Sequence, residues 1–127
     1  MDWKWVDKRL LLLLHNESLA LHGGATGLRD ESLLESALAR PLNLVAYGQP
    51  DHADLAAAYA SGLAKNRAFV DGNKRAAFLC VGLFLGLNGY RLTTSQADAT
   101  VTVLALAASD INEAEFAAWV RANSRPR

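Results

Sequence analysis

The length, charge balance and single cysteine of the chain restrict what it can be. Its 127 residues are close to the commonest size of a single domain and can bury a hydrophobic core. Thirteen basic and thirteen acidic residues cancel, which argues against a general nucleic-acid or membrane surface. Cys80 is the only cysteine, so no disulfide forms within the chain, and a thiol in an apolar run fits a reducing cytoplasm. We expect one domain over residues 1–127, in the cytoplasm.

The N-terminal region contains five consecutive leucines behind a basic pair, which superficially resembles a signal peptide. The run reaches the polar residue His15 without a small-residue cleavage pattern, so we do not expect export. Instead the pattern predicts a first helix from about Trp5 to His22, stopped by two glycines. Residues up to about Trp5, and residues 124–127, are expected to fray. The residues expected to face inward are Val6, Leu10, Leu13, Leu14 and Leu21.

The second helix is predicted from its cap and its stop. Asp30 can cap it, and it should run to about Ala39 and end at Pro41, because proline lacks a backbone N–H and restricts the residue before it. Residues 41–50 contain two prolines and a glycine, which predict an irregular connection or a short hairpin. The inner face of this helix should carry Leu33, Leu34, Ala37 and Leu38.

The third and fourth helices are expected to pack together. The third should run from about Asp51 or Asp54 to Ala64. Its alanine side chains are small, so a neighbouring helix can pack closely against it. Residues 76–87 contain no charged side chain, so a helix built from them must be buried. The run is shorter than the roughly 20 residues that cross a bilayer, so protein must cover it. We therefore expect it to be the central helix.

The residues that flank the central helix mark its ends. Asp71 and Gly72 resemble a turn and cap, with the helix starting near Asn73, and the pair Asn88-Gly89 resembles a stop. Two glycines four residues apart indicate a face that a neighbour approaches closely. These glycines are Gly82 and Gly86.

Two more helices complete the pattern. Ser95 and Asp98 resemble a capping box for a fifth helix to about Ser109, although frequent threonine and valine leave a strand as the weaker alternative. The sixth helix has a clearer start, because Asn112 can cap it and Glu115 can reach back. Together the patterns predict an all-α bundle of about six helices around a buried central helix. The inward residues should be Val101, Leu104 and Ala108 in the fifth helix, and Trp119 and Val120 in the sixth.

The start of the central helix carries an unusual concentration of positive charge. Residues 65–75 contain four basic residues against one acidic residue, Asp71. Lys74 and Arg75 fall in the first turn, where free N–H groups and the helix dipole favour anions. This arrangement indicates a bound anion, and phosphate is the usual one. The alternative is that both are solvated side chains screened by Asp71.

The same residues resemble the signature of a known family. Residues 69–75 read FVDGNKR, which resembles the H-x-F-x-D-G-N-K-R signature of the Fic/Doc family in the form of its Doc (death-on-curing) branch. The resemblance covers nearly the whole chain. One position departs, because Arg67 stands where the family has its histidine. Upstream matches are His15, Gly23-Gly24, Gly27-Leu28-Arg29-Asp30, Leu34, Ala37 and Arg40-Pro41.

The resemblance implies a reaction and partners. Fic enzymes are helical proteins that transfer part of a nucleotide to a protein hydroxyl. Most move AMP and have glycine at the position of Lys74, whereas the Doc branch has lysine and moves the γ-phosphate of ATP to a threonine of the translation factor EF-Tu, which stops bacterial growth. Lys74 therefore favours a kinase over an AMP transferase. The resemblance also implies a Phd-like antitoxin that covers the site, and the sequence shows no serine-plus-glutamate inhibitory helix of its own.

Most residues of the signature loop suit phosphate chemistry, and Phe69 should anchor the loop in the core. Gly72 lets the backbone approach an anion, and the N–H groups after it form a nest for phosphate oxygens. Lys74 and Arg75 supply positive charge, Arg75 as a two-pronged donor. Asp71 is an oxygen ligand suited to Mg²⁺ that bridges the phosphates of ATP. Asn73 can donate to a phosphate oxygen.

Residues 41–50 gain a role from the resemblance. In Fic proteins a segment at the matching place flanks the active site and pairs with the backbone of the target as an added strand. This is a physically reasonable way to bind an extended peptide. A plain surface loop is the alternative.

Arg67 removes the general base that the family histidine supplies. A guanidinium stays protonated at any working pH, and loss of a general base typically costs about 10² to 10⁴ in rate. The chain is therefore a toxin inactivated by design or accident, a naturally silent relative, or an enzyme in which His15 or His22 is the base. The otherwise intact motif favours the first explanation over the second. The third is disfavoured, because nothing in the sequence places His15 or His22 beside the loop; both should be structural, and His52 should be exposed. The competing class is a non-enzymatic interaction module.

Overall fold

Six α-helices and one short pair of strands form the fold of residues 2–127, the part of the chain that this computed structural model describes. The two strands pair in antiparallel register. The predicted all-α bundle is confirmed, with this small sheet added. The elements in chain order are α1 (Lys8–His22), α2 (Glu31–Tyr47), α3 (His52–Asn66), α4 (Asn73–Leu87), β1 (Tyr90–Leu92), α5 (Gln96–Ala107), α6 (Glu113–Ala122) and β2 (Ser124–Pro126).

Helix α3 forms the centre of the bundle. Every residue from Leu55 to Ala64 is buried, and the helix packs against α2, α4, α5 and α6. Its alanine side chains are small enough for these neighbours to approach closely. Helix α4, which the sequence indicated as the central helix, is exposed at Gly82 and Leu87. Apolar composition alone does not identify the central helix, because one side of α4 lies at the surface of the bundle.

Helix α2 continues through Pro41, contrary to the predicted stop. It ends at Tyr47, so most of the expected irregular connection is helical. The buried residues of α2 are Leu34, Ala37 and Pro41, which share one face and pack against α3. Burial of this face outweighs the loss of one backbone hydrogen bond at proline. The inner face predicted around Leu34 and Ala37 is confirmed.

Both ends of the described chain are ordered by contacts, so the prediction of frayed termini is wrong for these residues; Met1 lies outside the described residues. The rings of Trp3 and Trp5 pack 6.0 and 6.1 Å from that of Phe84. Residues 124–126 form β2 against β1. The ring of His52 stacks 3.8 Å from that of Tyr90, and its Nε2 lies 3.0 Å from Ser124 Oγ. His52 is therefore half-buried and ties α3 to the C-terminal strand, although we expected it to be exposed.

Helix α1 buries a different stripe from the predicted one. Its buried residues are Leu11, His15 and Leu19, whereas Leu13 and Leu21 are 56% and 80% exposed. Five consecutive leucines give no single apolar face, so spacing could not select the stripe. The predicted inward residue Leu10 is also exposed.

Helix α5 shows the same kind of shift. Val103 is buried, but Val101 and Leu104 are 63% and 44% exposed, and Ala108 is exposed as well. Ser95 caps α5 as predicted, but the carboxylate of Asp98 accepts from the hydroxyl of Thr94 instead of completing the predicted capping box. The predicted capping box of α6 is confirmed. In α6, the predicted docking of Val120 is confirmed by its complete burial.

None of the helices within residues 2–127 is both long and apolar enough to cross a bilayer.

Close helix approach depends on Gly62 of α3 rather than on the glycines of α4. A Cβ at Gly62 would lie 3.0 Å from the Cα of Ala37, whereas a Cβ at Gly82 would meet no atom within 4 Å. The predicted close-packing role of Gly82 is therefore wrong.

This pair of glycines gives a direct test of the packing. Gly62→Ala should destabilise the fold by roughly 1–2 kcal/mol, because an added methyl group against α2 is only partly offset by better helix propensity. Gly82→Ala is the matched control and should stabilise by about 0.5–1 kcal/mol. Urea unfolding of both variants measures the difference. Equal effects at the two positions would show that α2 and α3 do not pack at this distance.

Candidate active site at the start of helix α4

The loop between α3 and α4 leaves the start of α4 without a side-chain cap. Arg67 ends α3 in the left-handed conformation at φ 54°, and Gly72 precedes α4 in the same region at φ 78°. No side chain of residues 2–127 caps α4, whereas Asp, Ser or Asn side chains cap the other five helices. The first N–H groups of a helix lack intrahelical partners, so those of Asn73, Lys74 and Arg75 are open to an anion.

Asn73 holds the loop in shape through its side chain. Its Oδ1 accepts a hydrogen bond from the backbone N–H of Phe69 at 2.9 Å, and its Nδ2 donates to the carbonyl of Phe69 at 3.1 Å. Phe69 is only 2% exposed and fixes the loop to the core, as predicted. The side-chain amide of Asn73 therefore stabilises the loop. Its backbone N–H is the group that Asn73 contributes to anion binding.

His15 lies directly beneath the loop. Its Nε2 is 3.1 Å from the carbonyl oxygen of Asp71, which accepts the hydrogen bond, and its ring is 4.0 Å from that of Phe69. A Cβ at Gly72 would lie 2.7 Å from His15 Cε1, so glycine is required for space as well as for its positive φ. No pattern in the sequence places a histidine beside the loop, yet α1 brings His15 there across 56 positions of sequence.

His15 is nevertheless in a poor position to act as the general base. It is 1% exposed, and its Nδ1 is buried without a hydrogen-bond partner among the described residues. Burial lowers the pKa of His15 below its ordinary value, and the neighbouring Asp71 only partly opposes this. His15 is thus a neutral support for the loop, in agreement with its predicted structural role. His22 is exposed at the end of α1.

The segment between α1 and α2 supports the loop from its other side. The backbone of Leu28 pairs with that of Phe69, and the N–H of Val70 donates to the carbonyl of Gly27 at 3.1 Å. The guanidinium of Arg29 donates to the carbonyl of Arg67 at 2.8 Å. The upstream motif around Arg29 is therefore a structural partner of the signature loop, which its position in the sequence alone could not show.

Residues 41–50 do not flank the loop as expected. Residues 41–47 belong to α2. Residues 48–50 precede α3, whereas the loop follows it, so they and the loop lie at opposite ends of a helix about 20 Å long. The segment that lies beside the loop is residues 23–30. The carboxylate Oδ2 of Asp71 also accepts from the N–H of Ala25 in this segment at 3.3 Å.

An open cleft of about 870 Å³ lies between the loop and α5. Its volume falls in the range of small-molecule sites. The predicted site residues all line it, and they face an apolar stripe of α5 formed by Val101, Leu104 and Ala108. The wall on the loop side is formed by Lys65, Arg67, Asp71, Gly72, Asn73, Lys74 and Arg75.

The donor set of this cleft fits Mg²⁺ held together with phosphates. Within residues 2–127, no group of three or more His, Cys, Asp or Glu side chains could hold a metal by itself. Mg²⁺ is often bound by one or two carboxylates plus the phosphates of a nucleotide. The exposed carboxylate of Asp71, beside the open N–H groups of α4, meets that requirement.

Comparisons with known proteins identify the family of the chain. Residues 5–85, which include the signature loop and the segment that supports it, match the Fic/DOC family. The chain belongs to the Fic/DOC family. It is 47% identical to a protein named Toxin Doc from Mycolicibacterium smegmatis over 73 residues, or 55% of each chain. It is 33% identical to the Protein kinase doc of Escherichia phage P1 over 94 residues, 73% of this chain and 75% of that protein.

The two relatives differ in how much of their length is covered. The chain spans about half of the M. smegmatis toxin and three quarters of the phage protein. The match to the family model ends at residue 85. Helix α5, which forms the apolar wall of the cleft, lies beyond the residues that match the family model.

The buried imidazole of His15 predicts a pH dependence of stability. Its pKa lies below 6.5 in the folded protein, so at lower pH the unfolded chain binds a proton that the folded protein does not. Stability should therefore decrease as the pH falls from about 6.5 towards the folded-state pKa. His15→Gln keeps a donor for Asp71 but does not titrate, so it should flatten part of this decrease.

Urea unfolding at pH 7.5 and 5.5 measures the effect. Burial also lowers the pKa of His52, so we expect the pH dependence to shrink rather than vanish. An unchanged pH dependence in His15→Gln would contradict a neutral, buried His15.

Proposed function

We propose that the chain is a Doc-type toxin whose cleft binds ATP with Mg²⁺ and whose reaction is protein phosphorylation. The observation that carries this proposal is the uncapped start of α4 beside Asp71, Lys74 and Arg75 in one cleft. Two relatives of the chain, Toxin Doc and Protein kinase doc, support the same class of activity by their names. As substrate we propose a threonine of the translation factor EF-Tu, which follows from the resemblance to the Doc branch.

The loop residues have separate roles in this proposal. The N–H groups of residues 73–75 donate to phosphate oxygens, and the helix dipole adds positive potential at the same point. Lys74 and Arg75 neutralise charge that spreads over the phosphate oxygens during transfer. The carboxylate of Asp71 is the ligand that this chain offers to Mg²⁺. His15 and Asn73 keep these groups in position from below the loop.

The acceptor protein is proposed to lie along residues 24–28 rather than 41–50. This segment already forms a strand-like pair with the loop through Leu28 and Phe69. An extended peptide can add to such an edge through backbone hydrogen bonds. The acceptor hydroxyl would then lie close to Asp71 and the phosphate-binding groups.

Arg67 leaves the reaction without a proton acceptor. Transfer of the γ-phosphate forms a bond between phosphorus and the threonine oxygen, breaks the bond to the bridging oxygen of ADP, and requires removal of the hydroxyl proton. Arg67 is exposed and lines the cleft where the family has histidine. A guanidinium cannot accept this proton, so we propose that the chain binds nucleotide but transfers phosphate slowly.

A Phd-like antitoxin is the proposed partner. Helix α1 carries exposed leucines, among them Leu13 and Leu21, while Leu19 of the same helix reaches the loop at Gly24 and Gly72. An amphipathic helix can bind such an exposed apolar surface, and we propose this surface of α1 as the docking place of the antitoxin.

Two alternative functions are tested by the same experiments. Transfer of AMP is disfavoured by Lys74, which the resemblance associates with kinases. A silent interaction module remains if the loop binds no nucleotide. The uncapped start of α4 favours an anion-binding site over this module.

Restoring the base should restore activity. Arg67→His should raise transfer of radiolabel from γ-labelled ATP to EF-Tu by about 10² to 10⁴, because it supplies the proton acceptor. Arg67→Gln is the matched control, since it removes the same charge without adding a base. Label transferred equally by both variants, or by neither, would contradict the proposed role of position 67. Label from α-labelled ATP would indicate AMP transfer instead.

Nucleotide binding should depend on the two cations of the first turn. Lys74→Ala and Arg75→Ala should each weaken binding of ATP with Mg²⁺ by roughly tenfold or more, because each removes a charge-assisted hydrogen bond. Arg91→Ala is the matched control, since Arg91 is an exposed cation beyond the other end of α4. Isothermal titration calorimetry of the four proteins measures the effect. Affinities that do not distinguish the loop variants from the control would remove the basis of the proposal.

A further inference from the structure

Helix α5 presents a second apolar stripe that the core does not use. Its buried residues are Ala99, Val103 and Leu106. Val101, Leu104 and Ala108 form a separate stripe at helical spacing, and two of these side chains are 63% and 44% exposed. All three line the cleft opposite the signature loop. This apolar surface therefore belongs to the cleft rather than to the interior of the bundle.

The two walls of the cleft carry opposite electrostatic character. The loop wall holds the N-terminus of α4 together with four cationic side chains, Lys65, Arg67, Lys74 and Arg75. The other wall holds the C-terminus of α5, where the helix dipole is negative, and Asp110 just beyond it. A polyphosphate is attracted to the first wall and repelled by the second. A bound nucleotide is thereby oriented with its uncharged end towards α5.

Lys65 and Ser109 hold the two walls together. The ammonium of Lys65, at the end of α3, donates to the hydroxyl of Ser109, just after α5. A direct contact therefore joins the ends of two helices that border the cleft. The cleft of about 870 Å³ is far larger than a phosphate group requires.

We propose that the stripe formed by Val101, Leu104 and Ala108 is the nucleobase wall of this cleft. The inference rests on the proposed nucleotide-binding function and names the subsite that takes the base. The flat face of a purine ring covers the aliphatic side chains, while the triphosphate reaches the start of α4. Val, Leu and Ala side chains carry no hydrogen-bonding group, so the stripe binds the face of the ring and contributes affinity without reading its edge.

The test separates base binding from phosphate binding. In the double variant Val101→Gln with Leu104→Gln, both positions lose apolar surface but gain no charge, and glutamine preserves helix propensity. Calorimetry with Mg²⁺ compares ATP with inorganic tripolyphosphate. ATP should bind roughly tenfold more weakly to the double variant, as expected for about 50 Å² of apolar contact. Tripolyphosphate should bind as before, which also shows that the variant is folded.

Tyr47→Gln is the control, because Tyr47 is 91% exposed at the opposite end of α3 from the loop. It should leave both affinities unchanged. An equal loss for ATP and tripolyphosphate would overturn the inference, since the stripe would then act through the phosphate site. Unchanged ATP binding, with or without weaker binding of an antitoxin or of EF-Tu, would overturn it as well.

The proposed function itself fails by a different result. If the unsubstituted protein binds neither ATP nor tripolyphosphate, the loop is no phosphate site. If it binds both equally well and the double variant changes neither, the phosphate site stands and the nucleobase wall alone is wrong.

Discussion

The open N-terminus of α4 is the feature on which the rest of the site depends. Within residues 2–127, α4 alone begins without a side-chain cap, and the loop before it is held by other contacts instead. Asn73 fixes the loop to Phe69, His15 fixes the carbonyl of Asp71, and the segment around Leu28 pairs with the loop backbone. Because these contacts replace a cap, the first N–H groups of α4 stay available, with two cations beside them.

The fold positions this loop by means of its central helix. Helix α3 is rich in alanine and has Gly62 in close approach to Ala37, so α2 and α4 can both pack against it. Its last residues border the cleft, and the Lys65 to Ser109 contact joins its end to that of α5. The same helix therefore supports the core and borders the site.

Sequence reasoning predicted local features well and long-range contacts poorly. Caps such as Asn112 and the start of α4 at Asn73 depend on neighbouring residues, and both are confirmed. The continuation of α2 through Pro41 was missed, because tertiary packing overrides a local rule. The stripe around Leu104 was predicted to enter the core and instead lines the cleft, since apolar spacing does not specify what covers it. The contact between His15 and Asp71 joins distant positions and leaves no local pattern to detect.

The central claim is that the backbone amides at the start of α4 bind the phosphates of a nucleotide. Amide NMR of ¹⁵N-labelled protein, titrated with Mg²⁺ and a non-hydrolysable ATP analogue, tests this claim at single-residue resolution. The largest shift changes should fall on Asn73, Lys74 and Arg75. Unchanged signals for these three amides at saturating ligand, or changes centred on residues 47–50 at the far end of α3, would contradict it.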